Sequence, residues 1–99
     1  MLKKHNYMNP YLDAVNKIIQ EQERIIGPIE MDQARKVDGL KFNANGTLSD
    51  IEGNNKEALN KLVSQYSQFF GQASVEVCKD AVQDIFDKMA PDQIPESLK

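Results

Sequence analysis

Apolar residues recur at helical spacing in two stretches of the chain. In ALNKLVSQYSQFFG, residues 58–71, Leu59, Leu62, Val63, Tyr66, Phe69 and Phe70 fall at i, i+3, i+4, i+7, i+10 and i+11, one stripe along a helix. In AVNKIIQEQERIIG, residues 14–27, which lies 44 residues earlier, the same positions hold Val15, Ile18, Ile19, Gln22, Ile25 and Ile26. Each stretch ends in a large apolar pair and a glycine. The pattern predicts two amphipathic helices of similar build.

Stop and start signals extend each helix into a hairpin. Asn9 is a suitable N-cap, Pro10 a suitable first helical residue, and Asp13 lies near the positive end of the helix dipole. The first helix should run over 10–26. Gly27-Pro28 ends it, and Pro28 can open a short second helix over 28–37, with Glu30 and Asp32 in its first turn. Ile29, Met31, Ala34 and Val37 are its less polar members. A third helix is expected after Asn55 as its N-cap, running to Phe70, and a fourth capped by Ser74. The fourth carries Val75, Cys78, Ala81, Val82, Ile85 and Met89 as its stripe, flanked by Val77 and Phe86.

Between the helical hairpins the period changes. Residues 40–42 and 47–51 read as short strands around the turn Asn43-Ala44-Asn45-Gly46. With Gly46 in a left-handed bulge position, Phe42 faces Leu48 and both can be buried together. A two-residue Asn45-Gly46 turn would put them on opposite faces. The fold class expected is therefore α+β, mainly α: two helical hairpins, four helices in all, with one β-hairpin at 40–51 between them. Residues 1–8 read as a flexible arm, 9–90 as the domain, and 91–99, with Pro91 and Pro95, as an irregular tail.

Aligning 11–38 on 55–82 pairs Ala14 with Ala58, Asn16 with Asn60, Lys17 with Lys61 and Gly27 with Gly71. Two readings fit: a duplicated helix–glycine–helix unit, or two unrelated helices that share a period because each buries a face. The differences are as informative as the identities. Ile25-Ile26 becomes Phe69-Phe70, and Gln22 becomes Tyr66. A pair of adjacent large residues at a helix end can seal a core or leave one member exposed for a partner.

Composition narrows the functions. At 99 residues the chain can remove roughly 60–70% of its unfolded surface from water, enough for one core. The net charge is −3, from 12 basic and 15 acidic residues, and the basic residues are scattered. That argues against a nucleic-acid partner, which requires clustered Lys and Arg. No stretch is apolar for long enough to predict a membrane span, and no signal peptide is evident. A single cysteine excludes an internal disulfide and points to a reducing compartment, the cytoplasm.

Chemistry is sparse. Residues 41–52 resemble an EF-hand calcium loop: Asn43, Asn45, Gly46, Leu48, Ser49 and Glu52 hold the third, fifth, sixth, eighth, ninth and twelfth positions. Lys41 stands at the first position, where that resemblance requires a carboxylate, and Gly53-Asn54-Asn55 follows where a helix should continue. Cys78, near the start of the fourth helix, is a nucleophile only if a base reaches it. Its position on the apolar stripe, aligned with Ala34, reads instead as a buried thiol, and the one histidine, His5, lies in the arm. Asp80, Asp84 and Asp87 share a face of the fourth helix and read as solvated. The five glycines form no phosphate-binding loop.

Ile26-Gly27-Pro28-Ile29 after an amphipathic helix resembles the helix–Gly-Pro–helix modules appended to some bacterial signalling proteins. The second copy, Phe70-Gly71-Gln72-Ala73, lacks the proline. The resemblance implies a regulatory interaction module with no catalytic residues to transfer. The expected function is thus a cytoplasmic protein-interaction module, without cofactor or metal, that binds a protein partner or itself as a homodimer. Ile25, Ile26, Phe69, Phe70, Phe42 and Leu48 are the candidate interaction residues. The alternatives are a degenerate EF-hand-like calcium-responsive protein and a small enzyme using Cys78.

Overall fold

A computed structural model describes residues 9–99; the expected arm, with His5, lies outside the described residues. In chain order the elements are α1 (Pro10–Ile26), α2 (Ile29–Ala34), β1 (Leu40–Phe42), β2 (Leu48–Ile51), α3 (Asn55–Phe70) and α4 (Gln72–Phe86). Two 3-10 turns follow, Pro91–Gln93 and Glu96–Leu98. The class is α+β, mainly α, with four α-helices and one two-stranded antiparallel sheet.

The helix starts follow the capping chemistry. Asn9 Oδ1 accepts from the Tyr11 amide at 3.0 Å, with Pro10 as the first helical residue. The α3 cap is Asn54 rather than Asn55: its Oδ1 accepts from the Glu57 amide at 2.9 Å. Ser74 does not cap α4. The helix begins two residues earlier, and the Ser74 hydroxyl donates to the Gly71 carbonyl at 2.7 Å from inside its first turn.

The helical stripes meet in one core. Ala14, Val15, Ile18 and Ile19 of α1 join Ala58, Leu59, Leu62 and Val63 of α3, and Val75, Cys78, Val82 and Phe86 of α4. Each large aliphatic side chain buried here stabilises the fold by about 1.5–3 kcal/mol relative to exposure. α1 lies chiefly against α4, and α2 packs on α3 as well as on α1, so each helical hairpin completes its core with a helix of the other. Phe86, expected at the flank of α4, is buried, while Ile85 and Ala81 are half-buried.

The short helix α2 departs most from expectation. It ends at Ala34 and passes through turns to Val37. Glu30, Gln33, Ala34 and Val37 point inward, and Ile29 points outward with 53% of its surface exposed. These four sit at i, i+3, i+4 and i+7, so the helical period holds but its phase is turned relative to the apolar residues. A six-residue helix has too little apolar area to set its own phase; the Gly27-Pro28 corner and the partner side chains on α3 set it.

The β-hairpin has Phe42 opposite Leu48, as the bulged register requires. Leu40 pairs with Ile51 and Lys41 with Asp50, so Ser49 is the extra residue of a bulge. That residue lets Leu48 and Ile51, three apart, both face the core. Gly46, at φ +91, closes the turn by donating to the Asn43 carbonyl at 3.0 Å. Asn16 of α1 holds the hairpin down: its Oδ1 accepts from the Leu48 amide at 2.8 Å.

The C-terminal segment is ordered against the helices rather than irregular. Pro95 and Leu98 are buried, and the Tyr11 hydroxyl donates to the Gln93 carbonyl at 2.6 Å. Asn60 of α3 accepts from the Ser97 amide and hydroxyl at 3.3 and 2.5 Å. Asn16 and Asn60, identical in the alignment of the two halves, thus each hold the segment that follows their own helical hairpin.

Candidate functional site

The large apolar side chains that the fold leaves in solvent lie at the C-terminal ends of α1 and α3 and at the start of α2. Ile25 is 60% exposed, Ile29 53% and Phe69 53%. The apolar pairs split: Ile26 and Phe70 turn half inward while Ile25 and Phe69 turn out. Phe70 packs on the core with its ring 6.1 Å from that of Tyr66. Adjacent residues on a helix lie about 100° apart, so a stripe that widens to two neighbours at a helix end cannot bury both.

Two of the exposed residues stand near charges. The Lys36 ammonium lies 5.4 Å from the Phe69 ring centroid, a cation–π contact. Ile25 borders a shallow depression of about 330 Å³ lined also by Val77, Ala81, Lys17, Glu21, Arg24 and Asp80. In the alignment of the halves Ile25 corresponds to Phe69 and Asp80 to Lys36. The two corners therefore have a similar apolar residue, beside a cation at Phe69 and beside charges of both signs at Ile25.

The hairpin residues sit differently. Leu48 is buried in the core and lends no surface. Phe42 is half-buried beneath the Arg35 guanidinium, 5.4 Å above its ring. Ile29 is exposed but not among the candidate interaction residues, since the sequence marks it only as one of the less polar members of α2; its only sequence signal is that Glu30, Gln33, Ala34 and Val37 form a second consistent period.

In the loop resembling an EF-hand, Lys41 Nζ lies 3.5 Å from Glu52 Oε1. The first-position cation thus neutralises the twelfth-position carboxylate that the resemblance would assign to calcium. Asn43 and Asn45 are engaged within the turn, donating to and accepting from Thr47 Oγ1 at 2.9 and 2.7 Å. Among the described residues no group of three or more His, Cys, Asp or Glu side chains is placed to hold a metal.

Cys78 is fully buried. Burial pushes its thiol up to about 11, against a smaller opposing effect of the Gln22 amide that donates to Sγ at 3.3 Å. A thiol in that state is a poor nucleophile near neutrality. The same Gln22 amide donates to the Ser74 carbonyl at 2.8 Å.

A second polar contact lies in the core. The Tyr66 hydroxyl donates to Glu30 Oε1 at 2.6 Å, and neither residue has exposed surface. Glu30, placed by the sequence in the first turn of the second helix, is wholly buried. Desolvation raises its pKa to about 7; the Tyr66 hydrogen bond opposes the rise, and the like charge of Glu23 adds to it. Tyr66 is itself raised, first by burial and then by its bond to Glu30. Among the described residues, the buried oxygens Gln22 Oε1 and Glu30 Oε2 have no hydrogen-bond partner. Sequence pattern carries no signal for this pairing, which joins positions 36 residues apart.

No protein-family model, curated protein or solved structure matches this chain.

Proposed function

We propose that this chain is a non-catalytic protein-interaction module that pairs with a second copy of itself through the helix ends at Ile25 and Phe69. The observation that carries the reading is the outward turn of these two residues, 60% and 53% exposed, Phe69 beneath the Lys36 ammonium and Ile25 at a depression whose lining includes the carboxylates Glu21 and Asp80 as well as Lys17 and Arg24. Phe69 with Lys36 on one copy complements Ile25 with Asp80 on the next. An aromatic anchor beside a cation is a common hot-spot composition, and twofold pairing is the commonest assembly. The single, buried thiol fits a reducing compartment such as the cytoplasm. No helix of the described residues is long and apolar enough to cross a membrane.

Sedimentation across a concentration series tests the reading. The expected result is a mass of two 11.2 kDa chains for the native protein, and monomers that keep native circular dichroism for Ile25→Ser and Phe69→Ser. Lys36→Glu should weaken pairing, and adding Asp80→Lys should restore it. A native protein that stays monomeric at every concentration, or an F69S variant that is folded and still dimeric, overturns it.

A further inference from the structure

Glu30 is a carboxyl without exposed surface in the first turn of a six-residue helix. What faces it is informative. From α3 comes the Tyr66 hydroxyl, donating to Oε1 at 2.6 Å. From α1 the charged group acting on it is Glu23, of the same sign. On α4, Cys78 stands near Tyr66, a buried neutral thiol. On α2 itself Asp32 is exposed, and Arg35 is exposed with its guanidinium over the Phe42 ring. No ion pair among the described residues includes Glu30, and its Oε2 has no partner.

A carboxylate so placed lacks, among the described residues, any cation to offset its lost hydration. The neutral acid leaves one atom unbonded but carries no buried charge, and that is the far smaller cost. We propose that Glu30 is a proton-controlled latch: the folded protein holds it as the neutral acid, and losing the proton drives it toward water and loosens α2 from α3. Helix α2 is suited to this. It is short, it follows the Gly27-Pro28 corner, and its other polar tie to α3 is the Gln65 to Gln33 hydrogen bond at 2.7 Å. Releasing it would also move Ile29 and the Lys36 that stacks on Phe69. The latch does not depend on the self-association proposed above.

The sign follows from linkage. The ordinary value for this carboxyl is 4.5, and burial in the folded protein raises it to about 7. Its contribution to stability is complete below about 4.5 and is lost as pH rises through about 7. Within that window the folding constant falls by up to about tenfold per pH unit.

The test uses the whole chain at a concentration where its oligomeric state is constant. The carboxyl carbon of Glu30, followed by NMR in the unaltered protein, should titrate near neutrality, well above the ordinary value of 4.5. Between pH 5 and 8 the folding constant from urea unfolding should fall on the order of a hundredfold, and Glu30→Gln should remove most of that fall. Amide exchange in α2, corrected for intrinsic rates, should speed up relative to α1 over the same range, and E30Q should abolish the difference. A Glu30 carboxyl that titrates near its ordinary value of 4.5, or α2 protection that does not change with pH, overturns the proposal. The NMR titration and native exchange need no variant, so they decide the matter even if E30Q does not fold.

Discussion

Gln22 and Tyr66 stand 44 residues apart at aligned positions of α1 and α3, and each donates a hydrogen bond from its own helical hairpin into the other. Gln22 reaches the Ser74 carbonyl and Tyr66 reaches the Glu30 carboxyl; Ser74 and Glu30 are also 44 residues apart. Apolar packing is nondirectional and tolerates small slides. These two crossing bonds, buried where an unmade bond is costly, pin the register of one hairpin on the other.

Replacing Tyr66 by Phe keeps the ring and removes the donor, leaving Glu30 without a hydrogen bond. The expected loss of stability is about 1–3 kcal/mol. It should be larger at pH 8 than at pH 5, because the bond is to a charged acceptor once Glu30 is ionised. The same variant should raise the Glu30 titration midpoint, since the Tyr66 bond favours the ionised form. Urea unfolding at the two pH values and an NMR titration check both.

Gly39 and Gly53 provide a matched pair. Both have positive φ, +95 and +83, but a Cβ on Gly39 would lie 2.8 Å from the Glu52 carbonyl oxygen, whereas one on Gly53 meets nothing within 4 Å. Gly53→Ala should cost only the left-handed backbone, about 1–2 kcal/mol. Gly39→Ala should cost clearly more, because the Gly39 carbonyl also accepts the Glu52 amide at 2.7 Å and the clash breaks that rung. Thermal unfolding of the two variants side by side gives the difference.

Cys78 should resist thiol reagents in the folded protein. Its burial and its pKa of about 11 leave little thiolate at pH 8 and no access to it. Labelling should proceed only through unfolding, so its rate should rise with urea in step with the unfolded fraction. Fast labelling of the native protein would show the thiol to be accessible and would reopen the enzymatic alternative.

Much of the architecture was legible in local patterns because those patterns act locally. Asn9-Pro10, Gly27-Pro28 and Gly71 punctuate the helices through backbone chemistry that needs no distant partner. The Phe42–Leu48 register followed from turn geometry and the need to bury two residues on one face. The candidate surface was only half legible. Ile25 and Phe69 were named with their neighbours, but nothing in the sequence said which member of each pair turns outward. Leu48, named as a candidate interaction residue, is core, because Asn16 and the Ser49 bulge turn β2 onto α1.

By itself the sequence determined the four helices, the hairpin and their order, because a period of 3.6 or 2 and the cap and turn residues are set within a few residues of chain. Only the tertiary structure decided the phase of α2, the burial of Glu30 in place of Ile29, and the anchoring of the tail through Asn60 and Leu98. Each of these depends on a partner supplied from far along the chain. A carboxyl becomes a core residue only where a hydroxyl such as that of Tyr66 is brought to meet it.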